Sequence, residues 1–99
     1  MSKILITGAS GFVGRNLAEY LQRNNRDYEI WTPTSRELDC LNEAAVTDYL
    51  RCNRFDYVLH LAVYGDGIDK SKDGTKILEY NMRIFLNFYK NSNLYGKMY

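Results

Sequence analysis

Apolar and polar positions alternate along this chain in two periods, and the switches between them mark the elements. Lys3 to Thr7 is a short apolar run rich in β-branched residues and reads as a buried strand. From Phe12 to Asn24 the period becomes helical, with Val13, Leu17, Tyr20 and Leu21 on one stripe and Arg15, Asn16, Glu19, Gln22 and Arg23 opposite. Tyr28 to Thr32 predicts a second strand, ended by Pro33, and Leu38 to Leu41 a short third strand or extended edge. Asn42 is placed to cap a helix over 43–53, whose inner stripe is Ala45, Val46, Tyr49 and Leu50. Phe55 to Ala62 suits a parallel strand buried on both faces. Residues 64–74 are polar and hold three glycines, as a loop does. Thr75 is positioned to cap a last helix over 76–91, with Ile77, Leu78, Ile84, Phe85 and Phe88 on one face and the amide of Asn81 in its middle. Tyr95 to Tyr99 opens a further strand.

Strands alternating with helices predict an α/β fold. The expected architecture is a three-layer, Rossmann-type, doubly wound parallel sheet, incomplete and ending at the start of its fifth strand. With the usual order 3-2-1-4-5, that ending leaves Tyr57 to Leu61 as an open apolar edge, which invites pairing between copies. A homodimer through that edge is the resulting expectation.

The glycines locate the chemistry. Gly8, Gly11 and Gly14 follow the first strand at equal spacing and lead straight into the first helix. In that context Gly8 allows the sharp turn, Gly11 lets phosphates approach the backbone, and Gly14 lets the helix lie close to the strand. The helix N-terminus offers N–H groups and a partial positive charge to a pyrophosphate. Ser10, Gly11, Phe12 and Val13 then form the turn over which a dinucleotide passes. A plain glycine turn is the competing reading. At the end of the second strand no acidic residue is placed to grip a ribose 2′-hydroxyl, because Glu29 comes too early. The tip instead carries Thr34, Ser35 and Arg36, a set that favours NADP over NAD. A solvated loop charge is the alternative for Arg36.

Composition narrows the rest. Ninety-nine residues with net charge +1 and 45% apolar content describe an ordinary globular chain, with no nucleic-acid or membrane surface implied. The first strand starts at residue 3, so neither a signal peptide nor a spanning run is expected, and a cytoplasmic location follows. Cys40 and Cys52 with a single His, at position 60, make a metal site unexpected and reduced thiols the default. His60 itself reads better as a packed strand histidine than as a base or ligand.

The motif Thr7-Gly8-x-x-Gly11-Phe12-x-Gly14 resembles that of the short-chain dehydrogenase/reductase superfamily, and specifically its extended branch of NAD-dependent nucleotide-sugar epimerases, dehydratases and reductases. The block Ser35 to Leu50 is similar to GDP-fucose synthases and dTDP-dehydrorhamnose reductases. The resemblance implies that Asp39, with Cys40 beside it, meets the adenine amino group; a turn carboxylate is the alternative for Asp39. It implies that His60-Leu61-Ala62-Val63 corresponds to an H-x-A-A motif lining the cofactor, with Val63 in place of the second Ala. It also implies that Asn81 bonds buried backbone near the active site; a structural Asn with no kinetic role is the alternative. The implied activity is hydride transfer between NAD(P) and a nucleotide-linked sugar, as an oxidoreductase or isomerase. The family's catalytic Tyr-x-x-x-Lys pair does not occur here: none of the nine tyrosines has a Lys four residues later. The 99 residues therefore read as the N-terminal part of an NAD(P)-binding domain. The catalytic segment and sugar-binding domain lie outside them, and the fragment alone is expected to be inactive. Two alternatives stand: a non-catalytic nucleotide-binding or regulatory module, and a related fold for a flavin or a methyl donor.

Overall fold

The computed structural model describes residues 2–9, 11–24, 27–62 and 74–99. In chain order these form β1 (Ser2–Thr7), α1 (Phe12–Asn24), β2 (Tyr28–Trp31), α2 (Glu43–Asn53), β3 (Tyr57–His60), α3 (Gly74–Tyr89), a 3₁₀ turn at Ser92–Leu94, and β4 (Lys97–Met98). The four strands are parallel in the order β2-β1-β3-β4. β1 is central, and Ile4, Leu5, Ile6 and Thr7 are all buried. Alternate residues serve opposite faces. Leu5 and Val58 join Val46 and Leu50 of α2 and Ile84 and Phe88 of α3. Ile4 and Ile6 pack against Ala18 of α1 on the other face. Helices therefore cover both sides of the sheet, giving the expected three layers. The chain leaves β1 toward β2 on one side and later reaches β3 on the other, so a crevice opens beyond the carboxyl end of β1.

α2 follows its sequence signals closely. Asn42 Oδ1 accepts from the Ala45 N–H at 3.1 Å, and the helix closes on Arg54 in the left-handed region with φ 51°. Four expectations need correction. Leu38 to Leu41 is not a strand. Its backbone is satisfied locally, by Leu38 N–H to the Thr34 carbonyl and Asn42 N–H to the Asp39 carbonyl, while Leu38 plugs into the core. β4 is thus the fourth strand, not the fifth.

Nor is β3 an open edge. Tyr57 and Val58 pair with Lys97 and Met98, and Tyr99 exchanges 2.8 Å bonds with Val58 and His60. The homodimer expected through Tyr57 to Leu61 loses its basis, since those ladder groups already have partners. On α1, Val13 is 63% exposed and Tyr20 equally so; Gly14 and Ala18, the small residues, face the sheet because close approach of helix and strand selects for them. On α3, Leu78 and Phe85 are exposed, whereas Ile84, Asn87 and Phe88 are buried.

Candidate functional site

A cleft of about 630 Å³ lies beyond the carboxyl ends of β1 and β3. Its floor is Thr7, Gly8, Leu61 and Ala62. The turn and first residues of α1 (Gly11, Phe12, Val13, Gly14) make one wall. Pro33, Ser35 and Leu38 to Leu41 make the facing wall, and Ile84 of α3 closes the side.

Thr7 fixes the floor. Its hydroxyl oxygen accepts the Leu61 N–H at 3.0 Å and the Ala62 N–H at 3.1 Å. Both lone pairs are then used, and the hydroxyl hydrogen is left for His60 Nδ1, 2.9 Å away. That geometry requires Nδ1 to be unprotonated, and burial accordingly lowers the His60 pKa. The imidazole also lies against the Phe88 ring, with centroids 5.1 Å apart. His60 is thus a packing and bracing residue. Among the described residues no cluster of His, Cys, Asp or Glu suits a metal ion.

The glycine turn is shaped by what surrounds it. Gly8 has φ +74°, and a Cβ there would come within 2.7 Å of the Leu61 and Ala62 backbone. A Cβ on Gly14 would strike the Gly8 carbonyl and lie 2.8 Å from Ala9 Cα. Gly11 differs. Among the described residues its added Cβ would meet only the Gly8 carbonyl, at 3.4 Å, so their packing does not demand a glycine there. Within the turn, the Gly11 N–H bonds the Gly8 carbonyl at 3.1 Å, and the Gly11 carbonyl accepts the Arg15 N–H at 2.9 Å. The amides of Phe12, Val13 and Gly14 in the first turn of α1 have no acceptor within the helix. These are the amides available to an anion, rather than that of Gly11.

On the facing wall, Thr34 and Glu37 form a reciprocal box. The Thr34 N–H donates to Glu37 Oε1 at 3.0 Å, and the Glu37 N–H reaches Thr34 Oγ1 at 3.3 Å. Thr34 is thereby occupied, and it is Ser35 that lines the cleft. Glu29 accepts from the Trp31 indole at 3.0 Å. Asp39 borders the cleft while its Oδ1 takes the Leu41 N–H at 3.0 Å. Burial, reinforced by the Asp39 carboxylate, pushes the Cys40 thiol up to about 11, so it stays protonated at neutral pH.

Of the site residues expected from sequence, Gly8, Gly11, Phe12, Val13, Gly14, Asp39, Cys40, Leu61 and Ala62 come together around this one cleft. Thr34, Arg36 and Asn81 are not among its described lining residues; Thr34 and Arg36 are exposed and Asn81 is half-buried on α3. Ser10, Val63 and the expected loop over most of 64–74 lie outside the described residues. Sequence reasoning missed Leu38, Leu41 and Ile84 as lining residues, placed Ser35 at the strand tip with Thr34 and Arg36, and gave Thr7 no role beyond the motif. The Thr-Gly pair at the strand end was the available signal for Thr7.

The chain is similar to known nucleotide-sugar enzymes. It is 37% identical over 86 residues to GDP-L-colitose synthase of Yersinia pseudotuberculosis, a match covering 86% of this chain and 27% of that protein. It is 40% identical over 91 residues to GDP-L-fucose synthase of Azorhizobium caulinodans, covering 91% and 28%. Its fold superposes with a TM-score of 0.83 on the GDP-mannoheptose C4 reductase of Campylobacter jejuni solved with NADP bound, at 31% identity over 94% of this chain and 29% of that one. The chain therefore spans a little over a quarter of the length of these relatives. With the glycine turn, the sheet order and a sequence profile matching over residues 4–97 all in agreement, the chain belongs to the NAD dependent epimerase/dehydratase family.

Proposed function

We propose that these residues form the adenosine and pyrophosphate half of an NADP(H)- or NAD(H)-binding site in an enzyme acting on a nucleotide-linked sugar. The observation that carries the reading is the glycine turn itself. Gly8 and Gly14 have no room for a side chain, whereas Gly11 has room among the described residues and still lacks one, at the wall of the cleft. A glycine that packing does not require is explained by a ligand that does require it.

In this reading the amides of Phe12, Val13 and Gly14 hold the pyrophosphate. Ser35 and Arg36, on the turn after β2, take the 2′-phosphate side of the adenosine ribose, and Asp39 and Cys40 border the adenine. Leu61, Ala62 and Val63 follow the cofactor toward the nicotinamide, and Asn81 supports backbone nearby. When bound there, the cofactor would supply hydride transfer to or from a sugar carbon. Thr7 holds the floor in place, and Leu38 and Ile84 exclude water from the apolar side. Proton transfer is assigned to groups outside these 99 residues, because no Tyr here has a Lys four positions on. The same observation favours, as a second reading, a nucleotide-binding module without turnover. A cytoplasmic setting is supported by two free thiols, Cys40 and Cys52.

The test is titration with NADPH, NADH and S-adenosylmethionine, alongside Gly11→Ala. The expected result is nicotinamide-cofactor binding that weakens about tenfold or more in the variant, with melting temperature held within a few degrees. Unchanged affinity in Gly11→Ala, or preference for the methyl donor, overturns the assignment. Binding without turnover of any GDP- or dTDP-linked keto sugar in the full-length protein selects the second reading.

A further inference from the structure

The wall formed by Leu38 to Leu41 has no strand ladder to hold it. Most of its ties are internal to the loop: Leu38 to Thr34, Leu41 to the Asp39 carboxylate, Asn42 to the Asp39 carbonyl. Among the described residues, the hydrogen bond that reaches it from a helix or strand comes from Asn87 of α3, whose Nδ2 donates to the Cys40 carbonyl at 2.9 Å. Asn87 is 2% exposed. A buried amide is costly unless bonded, so its geometry is tightly specified. It is buttressed in turn, since Asn91 Nδ2 donates to the Asn87 carbonyl at 2.7 Å and to Thr47 Oγ1 of α2 at 3.1 Å. Asn87 does not line the cleft; it stands behind the wall, beside a separate groove of about 440 Å³ shared with Leu41. Ile84, three residues earlier on the same helix, does line the cleft.

We propose that Asn87 is a positioning residue for the cleft, its side-chain amide bracing the Cys40 carbonyl so that the Leu38–Leu41 wall is preset for the adenosine end of a dinucleotide. The proposal rests on the dinucleotide reading above. The wall follows β2, the strand whose carboxyl end faces the adenosine ribose in nicotinamide-binding sheets. Rigid placement of a wall before binding avoids the ordering cost that a loose loop imposes on affinity. α3 thereby couples two sides of the site, through Ile84 directly and through Asn87 from behind.

The experiment compares Asn87→Leu with Ile4→Ala in the full chain. Ile4 is buried in the cluster on the other face of the sheet, apart from Leu38 to Leu41, and does not line the cleft, so it serves as the stability control. Binding of NADPH and NADH is measured well below both melting temperatures, together with hydrogen exchange at the Leu41 and Asn42 amides without ligand. Asn87→Leu is expected to bind about tenfold more weakly than Ile4→Ala and to exchange faster at those two amides, while Ile4→Ala leaves both near the parent values. If Asn87→Leu does not fold, Asn87→Ser leaves a polar space that water can fill and carries the same comparison. Equal cofactor affinity in the two variants, or unchanged exchange at Leu41 and Asn42, overturns the proposal. If the unsubstituted chain binds neither cofactor, the dinucleotide reading itself has failed, a result visible before any variant is made.

Discussion

Thr7→Val removes one oxygen and keeps the side chain's shape, and the structure allows its cost to be worked out group by group. Three partners lose that oxygen: the Leu61 N–H, the Ala62 N–H and His60 Nδ1. Leu61 keeps an acceptor, because its N–H also reaches the Thr7 carbonyl at 3.2 Å. Ala62 keeps none among the described residues, but it is half-buried and water recovers part of the loss. Its cost belongs at the low end of the range for an orphaned donor, about 1 kcal/mol, and the lost bond to His60 adds about another 1 kcal/mol. The sum is about 2 kcal/mol, or a fall in melting temperature of about 8–16 °C for a domain of this size. Thr7→Ser loses only a methyl group, about 0.8 kcal/mol, and keeps all three bonds. Thermal melts of the two variants, with amide exchange at Ala62, provide the assay. Valine must be the more damaging, and Ala62 must exchange faster in it. Should serine prove equal or worse, the hydroxyl is not what secures the floor, and the account of β1 joined to the end of β3 through Thr7 is wrong.

Other outcomes follow from the same geometry. Gly14→Ala places a methyl against the Gly8 carbonyl and Ala9 Cα, so it should destabilise by more than about 2 kcal/mol in denaturant melts, where Gly11→Ala is nearly neutral. A thiol reagent at pH 8 should find one fast site, the exposed Cys52, and one slow site, Cys40, whose thiol is raised to about 11; two equally fast sites would contradict this. His60 is the single histidine, so its ring protons can be followed by NMR without ambiguity. Its folded pKa should fall below the ordinary 6.5, because burial disfavours the charged ring. The unfolded chain then binds the proton more readily, so this group's stabilisation is complete above about pH 7 and declines as pH falls below 6.5 toward the folded pKa. A folded pKa at or above 6.5 refutes it.

What the sequence made legible was local, and what it hid depended on distant partners. The glycine turn was readable because its demands act over a few residues: the positive φ of Gly8, the close approach at Gly14. α2 was readable from its cap and stripe for the same reason. Half of the stripe on α1 was misassigned, since Leu21 does pack against the β1 cluster but Val13 and Tyr20 do not, because small residues carry little hydrophobic signal. Gly14 and Ala18 are buried, Ala18 against Ile4 and Ile6, while the more conspicuous Val13 and Tyr20 face outward. Leu38 to Leu41 looked like a short strand or extended edge since three of its four residues are apolar. What decides otherwise is the Thr34–Glu37 box, the Asp39 turn and an amide 47 residues further on. A strand was expected within Tyr95 to Tyr99, but not that two residues of it, β4, would pair with β3 and remove the open edge that the sequence implied.

The cleft divides along the same line. Its phosphate side is written in one contiguous motif. Its opposite wall is an irregular loop, shaped by its own turns and tied to α3 by one buried amide. A site half encoded locally and half imposed by tertiary contact should respond unequally to substitution. Changes in the turn should weaken the hold on the phosphates. Changes behind the wall should grade it, and should alter which end of a dinucleotide is held less firmly. Truncated ligands therefore separate the two halves: pyrophosphate-bearing fragments should lose affinity with Gly11→Ala, and adenosine-bearing fragments with Asn87→Leu. If both substitutions weakened both classes of fragment alike, the two walls would not be independent, and the division drawn between motif and brace would have to be abandoned.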